Sequence, residues 1–219
     1  MSKNVSRAES AILERYRVAL ENVEAQSEIA KIMAEFGYDA AMIEEGKNLF
    51  TQTRQAFDEN VTEDDETSQA YSDFIKKRDQ LEEIYSLHRK KAKVVFRKNL
   101  ETMKRLDLDG AIPRAYISWV EMVKKFYMEM LSDTELQDKI ARLKVTPEEL
   151  NATSTLIDEL ETARSKYLIE KGESQDATTV KDTHFARLDD WMSEFYAVAR
   201  IALEDNIQLL EILGVIVRN

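Results

Sequence analysis

The stretch VVFRKNLETM, residues 94–103, places an asparagine inside an apolar helical pattern. Its apolar residues recur at helical spacing, namely Val95, Phe96, Leu100 and Met103. Asn99 lies among them, and the stretch IALEDNIQLL, residues 201–210, repeats the arrangement around Asn206. An asparagine in a helical seam can fix the packing register when it pairs with another polar group. Both stretches therefore predict helices that pack along an apolar seam.

The chain contains few residues that interrupt a helix. Its 219 residues include five glycines and two prolines, and 43% of them are hydrophobic. Residue types that favour helices dominate the long segments, namely Ala, Leu, Glu, Lys, Gln, Met and Arg. The length is sufficient for a sizeable core. The composition therefore predicts an all-α protein.

Charge and cysteine content narrow the classes of function. Because the sequence has no cysteine, disulfides, thiolate nucleophiles and cysteine-ligated metal centres are excluded. A net charge of −11 would repel nucleic-acid phosphates, so we expect no nucleic-acid partner. The N-terminus lacks an apolar signal region, and no apolar run approaches about eighteen residues. We therefore expect a cytoplasmic protein that does not insert into a membrane.

An offset of 107 residues relates the two halves of the chain. It brings Asn99 onto Asn206, and it aligns two helix-start signals, FGYDAAMI and LKVTPEEL. In the first signal, Asp39 is the predicted N-cap. In the second, Thr146 and Glu149 form a predicted capping box, and a hydrophobic staple accompanies each signal. The alignment predicts a tandem duplication.

Each predicted repeat, residues 1–107 or 108–219, contains three helices. We expect the helices of the two repeats near residues 6–36, 40–60, 66–106, 113–143, 147–170 and 177–214. The polar stretches VTEDDETSQ and EKGESQDATT are predicted loops. With Trp119 and Trp191 in first- and third-helix positions, the repeat resembles the spectrin repeat in size and helix order, but its short middle helix and DLDG break depart from that family. The six helices could form one up-down bundle or two tandem bundles joined at a bend.

The sequence shows no pattern that indicates catalysis or a bound metal. Di-metal helical bundles carry Glu-x-x-His motifs, whereas Tyr85 stands three residues before His88 and Lys181 three residues before His184. The DLDG turn, residues 107–110, lacks the acidic residues that begin and end an EF-hand loop. We therefore expect no enzyme activity, no metal site and no cofactor.

Opposite charges lie at equivalent positions of the two predicted repeats. Arg97 and Lys98 in the first repeat correspond to Glu204 and Asp205 in the second. Such charges could pair between repeats, or between chains in a head-to-tail assembly, where they would supply specificity more than affinity. Arg97 and Lys98 are therefore candidates for an interaction surface.

Two apolar stretches are further candidates for an interface. The Met-rich stretch 119–131 includes Trp119 and Tyr127 on a broad face that suits core packing or a helical partner. The C-terminal stretch NIQLLEILGVIVRN includes Leu213 and Val217 and is apolar on nearly every side. A helix of that kind is usually buried in a core or covered by an interface.

Taken together, these patterns favour a non-enzymatic interaction or structural protein. We expect it to bind a protein partner or to form a homo-oligomer. The alternative is a helical bundle that binds a small ligand at a polar site between the repeats, near Asn99 and Asn206. A filled, dry seam would favour the first hypothesis, whereas a polar-lined cavity would favour the second.

Overall fold

Helices account for nearly all of the chain that the structure describes. The computed structural model describes residues 3–215, with side-chain surroundings from residue 7 onward. Within that range there are eight helices and no strands, which confirms the all-α prediction. The helices are α1 Lys3–Ala25, α2 Ser27–Glu35, α3 Ala40–Phe96, α4 Leu100–Arg105, α5 Tyr116–Ser132, α6 Thr134–Ala141, α7 Pro147–Ala202 and α8 Ile207–Ile212.

The starts of the two long helices carry the predicted capping groups. The Asp39 carboxylate accepts the backbone N–H groups of Ala41 and Met42 at 3.0 Å each, next to the first turn of α3. At the start of α7, Thr146 and Glu149 accept each other's backbone N–H groups at 3.2 Å. These bonds satisfy donors that a helix N-terminus would otherwise leave unpaired. The predictions of an N-cap and a capping box are confirmed.

The predicted loops VTEDDETSQ and EKGESQDATT are wrong, because α3 and α7 continue through them without a break. Their polar side chains make hydrogen bonds that do not require a loop. Asn60 Nδ2 donates to Thr178 Oγ1 at 3.0 Å, and Ser174 Oγ donates to Asp64 Oδ1 at 2.6 Å. A polar helical segment is therefore stabilised by cross-helix hydrogen bonds, which an analysis based on apolar periodicity does not detect.

The prediction of Asn99 and Asn206 inside continuous helices is also wrong. Both residues are exposed N-caps, of α4 and α8 respectively, after turns that end the long helices. The Asn99 side chain accepts the N–H of Thr102 at 3.0 Å. Asparagine favours such a cap because its side chain competes for backbone hydrogen bonds. The predicted single helices at 6–36 and 113–143 are wrong as well, because Gln26 and Asp133 each cap a new helix. Each half of the chain therefore contributes four helices instead of three.

The described chain forms two compact units. The first unit comprises the residues up to Glu66 together with those from Lys171 onward, and the second comprises Thr67–Glu170. The first unit contains α1, α2, α8 and one segment each of α3 and α7. The second contains α4, α5, α6 and the other segments of α3 and α7. Each compact unit therefore draws helices from both halves of the sequence, and each has its own apolar core.

Equivalent structural features recur at the 107-residue offset. The helices α2, α3 and α4 start 107 residues before α6, α7 and α8. The described residues with positive φ form two pairs at the same offset, Gly37 with Lys144 and Asp107 with Gly214. Buried residues also match in pairs, including Ile29 with Leu136, Ile43 with Leu150, Leu81 with Leu188, Ala92 with Ala199 and Leu106 with Leu213.

Gly46 permits close packing of α3 against α7 within the first unit. A β-carbon at Gly46 would lie 2.7 Å from Cζ2 of Trp191, closer than real β-carbons approach a ring. The indole of Trp191 is held in place by stacking on Phe195, with centroids 5.5 Å apart, and by an edge contact with Tyr38 at 5.5 Å. The ring has little room to move away from a larger side chain.

We predict that Gly46→Ala lowers the free energy of unfolding by about 1–3 kcal/mol, because the added methyl overpacks the contact with Trp191. Gly172→Ala is the matched control, since Gly172 lies inside α7 with no atom near its β-position. That change should raise stability by up to about 1 kcal/mol through helix propensity. Urea unfolding followed by circular dichroism measures both variants. Equal stabilisation by the two changes would contradict the packing argument.

Candidate functional site

Two equivalent turns expose aliphatic side chains beside charged ones. The basic turn, in the second unit, consists of Val94, Arg97, Lys98 and Leu100; the acidic turn, in the first unit, consists of Ile201, Glu204, Asp205 and Ile207. All eight side chains are exposed, and the relative accessibility is 59% at Val94, 75% at Leu100, 61% at Ile201 and 48% at Ile207. The 107-residue offset therefore relates turns of similar apolar character and opposite charge.

The charges of both turns lack ion-pair partners among the described residues. None of Arg97, Lys98, Glu204 and Asp205 takes part in a salt bridge within residues 7–215. Residues 90–104 contain six Lys or Arg and one Glu, whereas residues 197–211 contain one Arg and three Asp or Glu. The charge reversal therefore extends beyond the two turns.

The structure distributes the other predicted interface residues between the cores and the surface. Trp119 and Tyr127 lie in the core of the second unit, and Leu213 lies in the core of the first. Asn99 belongs to the second unit and Asn206 to the first. Val217 lies outside the described residues. The Met-rich stretch is largely used for packing, although Met128 remains 62% exposed.

A buried polar pair lies in the core of the second unit. His88 Nδ1 and the Tyr127 hydroxyl share a 2.9 Å hydrogen bond, and both side chains are almost fully buried. The residues at the equivalent positions of the first unit, Phe195 and Leu20, are apolar. Burial lowers the pKa of His88; Glu149 opposes this effect and Lys91 adds to it. The imidazole is therefore held in its neutral form in the folded protein.

We predict that the free energy of unfolding decreases as the pH falls below 6.5, the ordinary pKa of histidine, because the folded protein holds His88 in its neutral form. The unfolded state binds a proton near that pH, whereas the folded state binds it only at a lower pH, so acid favours unfolding. Between pH 7.5 and 5.5, wild-type protein should lose up to about 1 kcal/mol from this residue.

The double variant His88→Phe/Tyr127→Phe removes the titrating group and leaves no unpaired hydroxyl. It should therefore lose the part of the pH dependence of stability that comes from His88. Urea unfolding at several pH values measures the slope. Tyr127→Phe alone is the control, because it retains His88 and should retain the pH dependence. An identical slope in wild type and double variant would show that His88 is not responsible.

A polar cavity in the first unit was not predicted from the sequence. It has a volume of about 400 Å³ and is lined by Arg15, Tyr16, Asp189, Ser193, Tyr196, Arg200, Gly214 and Val215. The Tyr16 hydroxyl donates to Asp189 Oδ1 at 2.9 Å, and the Arg15 guanidinium lies 5.1 Å from the centre of the Tyr16 ring. In the sequence, the only indication of this cavity was that an arginine and a tyrosine occur at 15–16 and again at 196 and 200. No local motif connects the two places.

Comparisons of the chain with known protein families, curated proteins and solved structures found no match. Among the helices of the described residues, none is both long enough and apolar enough to cross a membrane.

Proposed function

We propose that this is a non-enzymatic interaction protein that self-associates head to tail. The basic turn of one copy binds the acidic turn of the next copy. The observation that carries this proposal is the presence of exposed aliphatic side chains in both turns, together with opposite charges at equivalent positions that form no salt bridge within residues 7–215. The proposal retains the expectation of a cytoplasmic protein that acts without a cofactor.

The composition of the two turns supports binding between them. Aliphatic side chains such as Leu100 and Ile207 gain free energy when an interface removes them from water. The charges of Arg97 and Lys98 attract Glu204 and Asp205 and disfavour contact between two turns of the same kind. Because the contact joins two different surfaces, it is heterologous and can extend into rings or filaments.

A tandem duplication accounts for the equivalence of the two turns. We propose that residues 1–107 and 108–219 descend from one ancestral unit. The equal spacing of helix starts, positive-φ residues and buried positions supports this origin. Divergence at residues 97–98 and 204–205 would then have changed two like surfaces into a complementary pair.

We predict that charge reversal at one turn prevents self-association and that mixing two reversed variants restores it. Arg97→Glu/Lys98→Glu makes both turns acidic, and Glu204→Lys/Asp205→Lys makes both turns basic. Each variant alone should associate at least about tenfold more weakly at low salt, because like charges then face each other. Sedimentation velocity over a range of concentrations measures the assembly.

The matched control is Lys31→Glu/Arg187→Glu, which makes the same change in net charge at two other exposed cations. This control should associate like wild type. A monomeric wild type at low salt and high concentration would refute the proposal, as would a mixture of reversed variants that stays monomeric. An effect of the control equal to that at 97 and 98 would indicate general charge repulsion instead.

Binding of a small ligand is the second candidate function, and the cavity in the first unit favours it. The sequence-based version of this hypothesis placed the ligand near Asn99 and Asn206. The cavity instead lies between α1, α7 and the residues that follow α8.

A further inference from the structure

We propose that the cavity of the first unit binds an organic oxyanion, a carboxylate or a phosphate, between the guanidinium groups of Arg15 and Arg200. The proposal of this ligand site does not rest on the proposed self-association. The organic part of the ligand would lie against the tyrosine rings and Val215, which also line the cavity.

The two arginines are available to bind an anion. Neither Arg15 nor Arg200 takes part in a salt bridge within residues 7–215, whereas Arg17 on the same helix as Arg15 pairs with both Glu14 and Glu21. Arg200 donates one hydrogen bond to the backbone oxygen of Tyr196 at 3.3 Å, which leaves further N–H groups of the planar fork. Guanidinium groups bind carboxylates and phosphates through paired, charge-assisted hydrogen bonds.

The hydroxyl of Tyr196 is a third group suited to such a ligand. It is buried and has no hydrogen-bond partner among the described residues. Burial raises the pKa of Tyr196 to about 12, while Arg15 and Arg200 both act in the opposite direction. Both cations line the cavity together with Tyr196. The hydroxyl stays protonated at neutral pH and could donate to an oxyanion after a small movement. An unsatisfied buried hydroxyl carries a free-energy cost that such a partner would relieve.

In the second unit, the residue equivalent to Tyr196 forms hydrogen bonds within the chain. Arg89 stands at the position equivalent to Tyr196, and its Nη2 donates to the carbonyl groups of Asp107, Leu108 and Gly110 at 3.0, 3.3 and 2.6 Å. Backbone carbonyl oxygens of the chain itself therefore accept the hydrogen bonds of this nitrogen. In the first unit, tyrosine replaces this arginine, and the cations come instead from Arg15 and Arg200, which form no salt bridge within residues 7–215.

The remaining polar groups restrict the ligand further. Asp189 already accepts the Tyr16 hydroxyl, so the cavity contains two cations and one anion. This balance favours a ligand of low negative charge. The Asp189 carboxylate and the Ser193 hydroxyl could also accept hydrogen bonds from hydroxyl groups on the organic part. A cavity of about 400 Å³ has room for an organic group beside the anionic one.

Isothermal titration calorimetry of the full chain tests the proposal with two probes, phenyl phosphate and phenylacetate, at constant ionic strength. We expect one saturable site per chain with a Kd on the order of 1 mM or tighter for at least one probe. Preference for phenyl phosphate would identify a phosphate ligand, and preference for phenylacetate would identify a carboxylate ligand.

Three variants locate the site. Arg15→Met introduces the residue found at the equivalent position, Met122, and Arg200→Gln removes the second cation. Each should weaken binding at least about tenfold. The matched control is Lys93→Gln, because Lys93 is the equivalent of Arg200 in the second unit; it should bind like wild type. Circular dichroism establishes that each variant is folded.

If Arg15→Met does not fold, Tyr196→Phe provides a milder change that removes only the hydroxyl group and should still weaken binding severalfold. Absence of saturable binding of either probe to wild-type protein would overturn the proposal. It would also fail if a folded Arg15→Met/Arg200→Gln variant bound as tightly as wild type, or if Lys93→Gln weakened binding equally.

Discussion

The antiparallel packing of α3 against α7 is the constraint on which both compact units depend. In the first unit, Thr53 donates to the backbone oxygen of His184 at 3.2 Å, and Asn60 pairs with Thr178. In the second unit, Thr67 donates to the backbone oxygen of Glu170 at 2.9 Å. Since each unit needs a segment of both long helices, neither half of the sequence contains a complete core. Cooperation between the halves is therefore a requirement of folding in this architecture.

Positions that lie 107 residues apart in the two units can carry different chemistry. His88 and Tyr127 form a hydrogen-bonded pair in one core, where the other core has Phe195 and Leu20. An apolar pair gains free energy from burial without any requirement for partners, whereas a polar pair must satisfy both of its members. At these positions the second unit therefore has a specific, titratable hydrogen bond where the first unit has apolar packing.

The proposed binding surfaces share one property, which is charge that forms no salt bridge within the part of the chain that the structure describes. Many charged side chains on the long helices have neighbours of opposite sign, as Lys77 has in Glu159 at 2.5 Å. Arg15 and Arg200 form no salt bridge within residues 7–215, and neither do the charges of the basic and acidic turns. The two arginines are exposed but line a cavity, where they can bind a small anion, whereas the turns expose aliphatic side chains beside their charges and suit a macromolecular partner. Geometry, more than charge alone, separates the two proposed functions.

Sequence alone determined the features that depend on local chemistry. The all-α class followed from helix propensity, and the caps at Asp39 and Thr146 followed from hydrogen bonds that span three residues. The 107-residue offset was also visible, and helix starts recur at that spacing. Each of these signals lies within one helix or one turn, so no tertiary contact is needed to detect it.

Tertiary structure decided the features that depend on partners distant in sequence. Continuity of α3 and α7 through polar segments needs hydrogen bonds such as Ser174 to Asp64, which a local pattern does not reveal. The assignment of Asn99 to a cap depended on the backbone turn after Phe96, because an apolar pattern continues on both sides. The cavity joins Arg15 to Arg200 across most of the chain. The packing of α1 against α7 brings both cations to one cavity, since proximity between residues distant in sequence is a property of the folded chain.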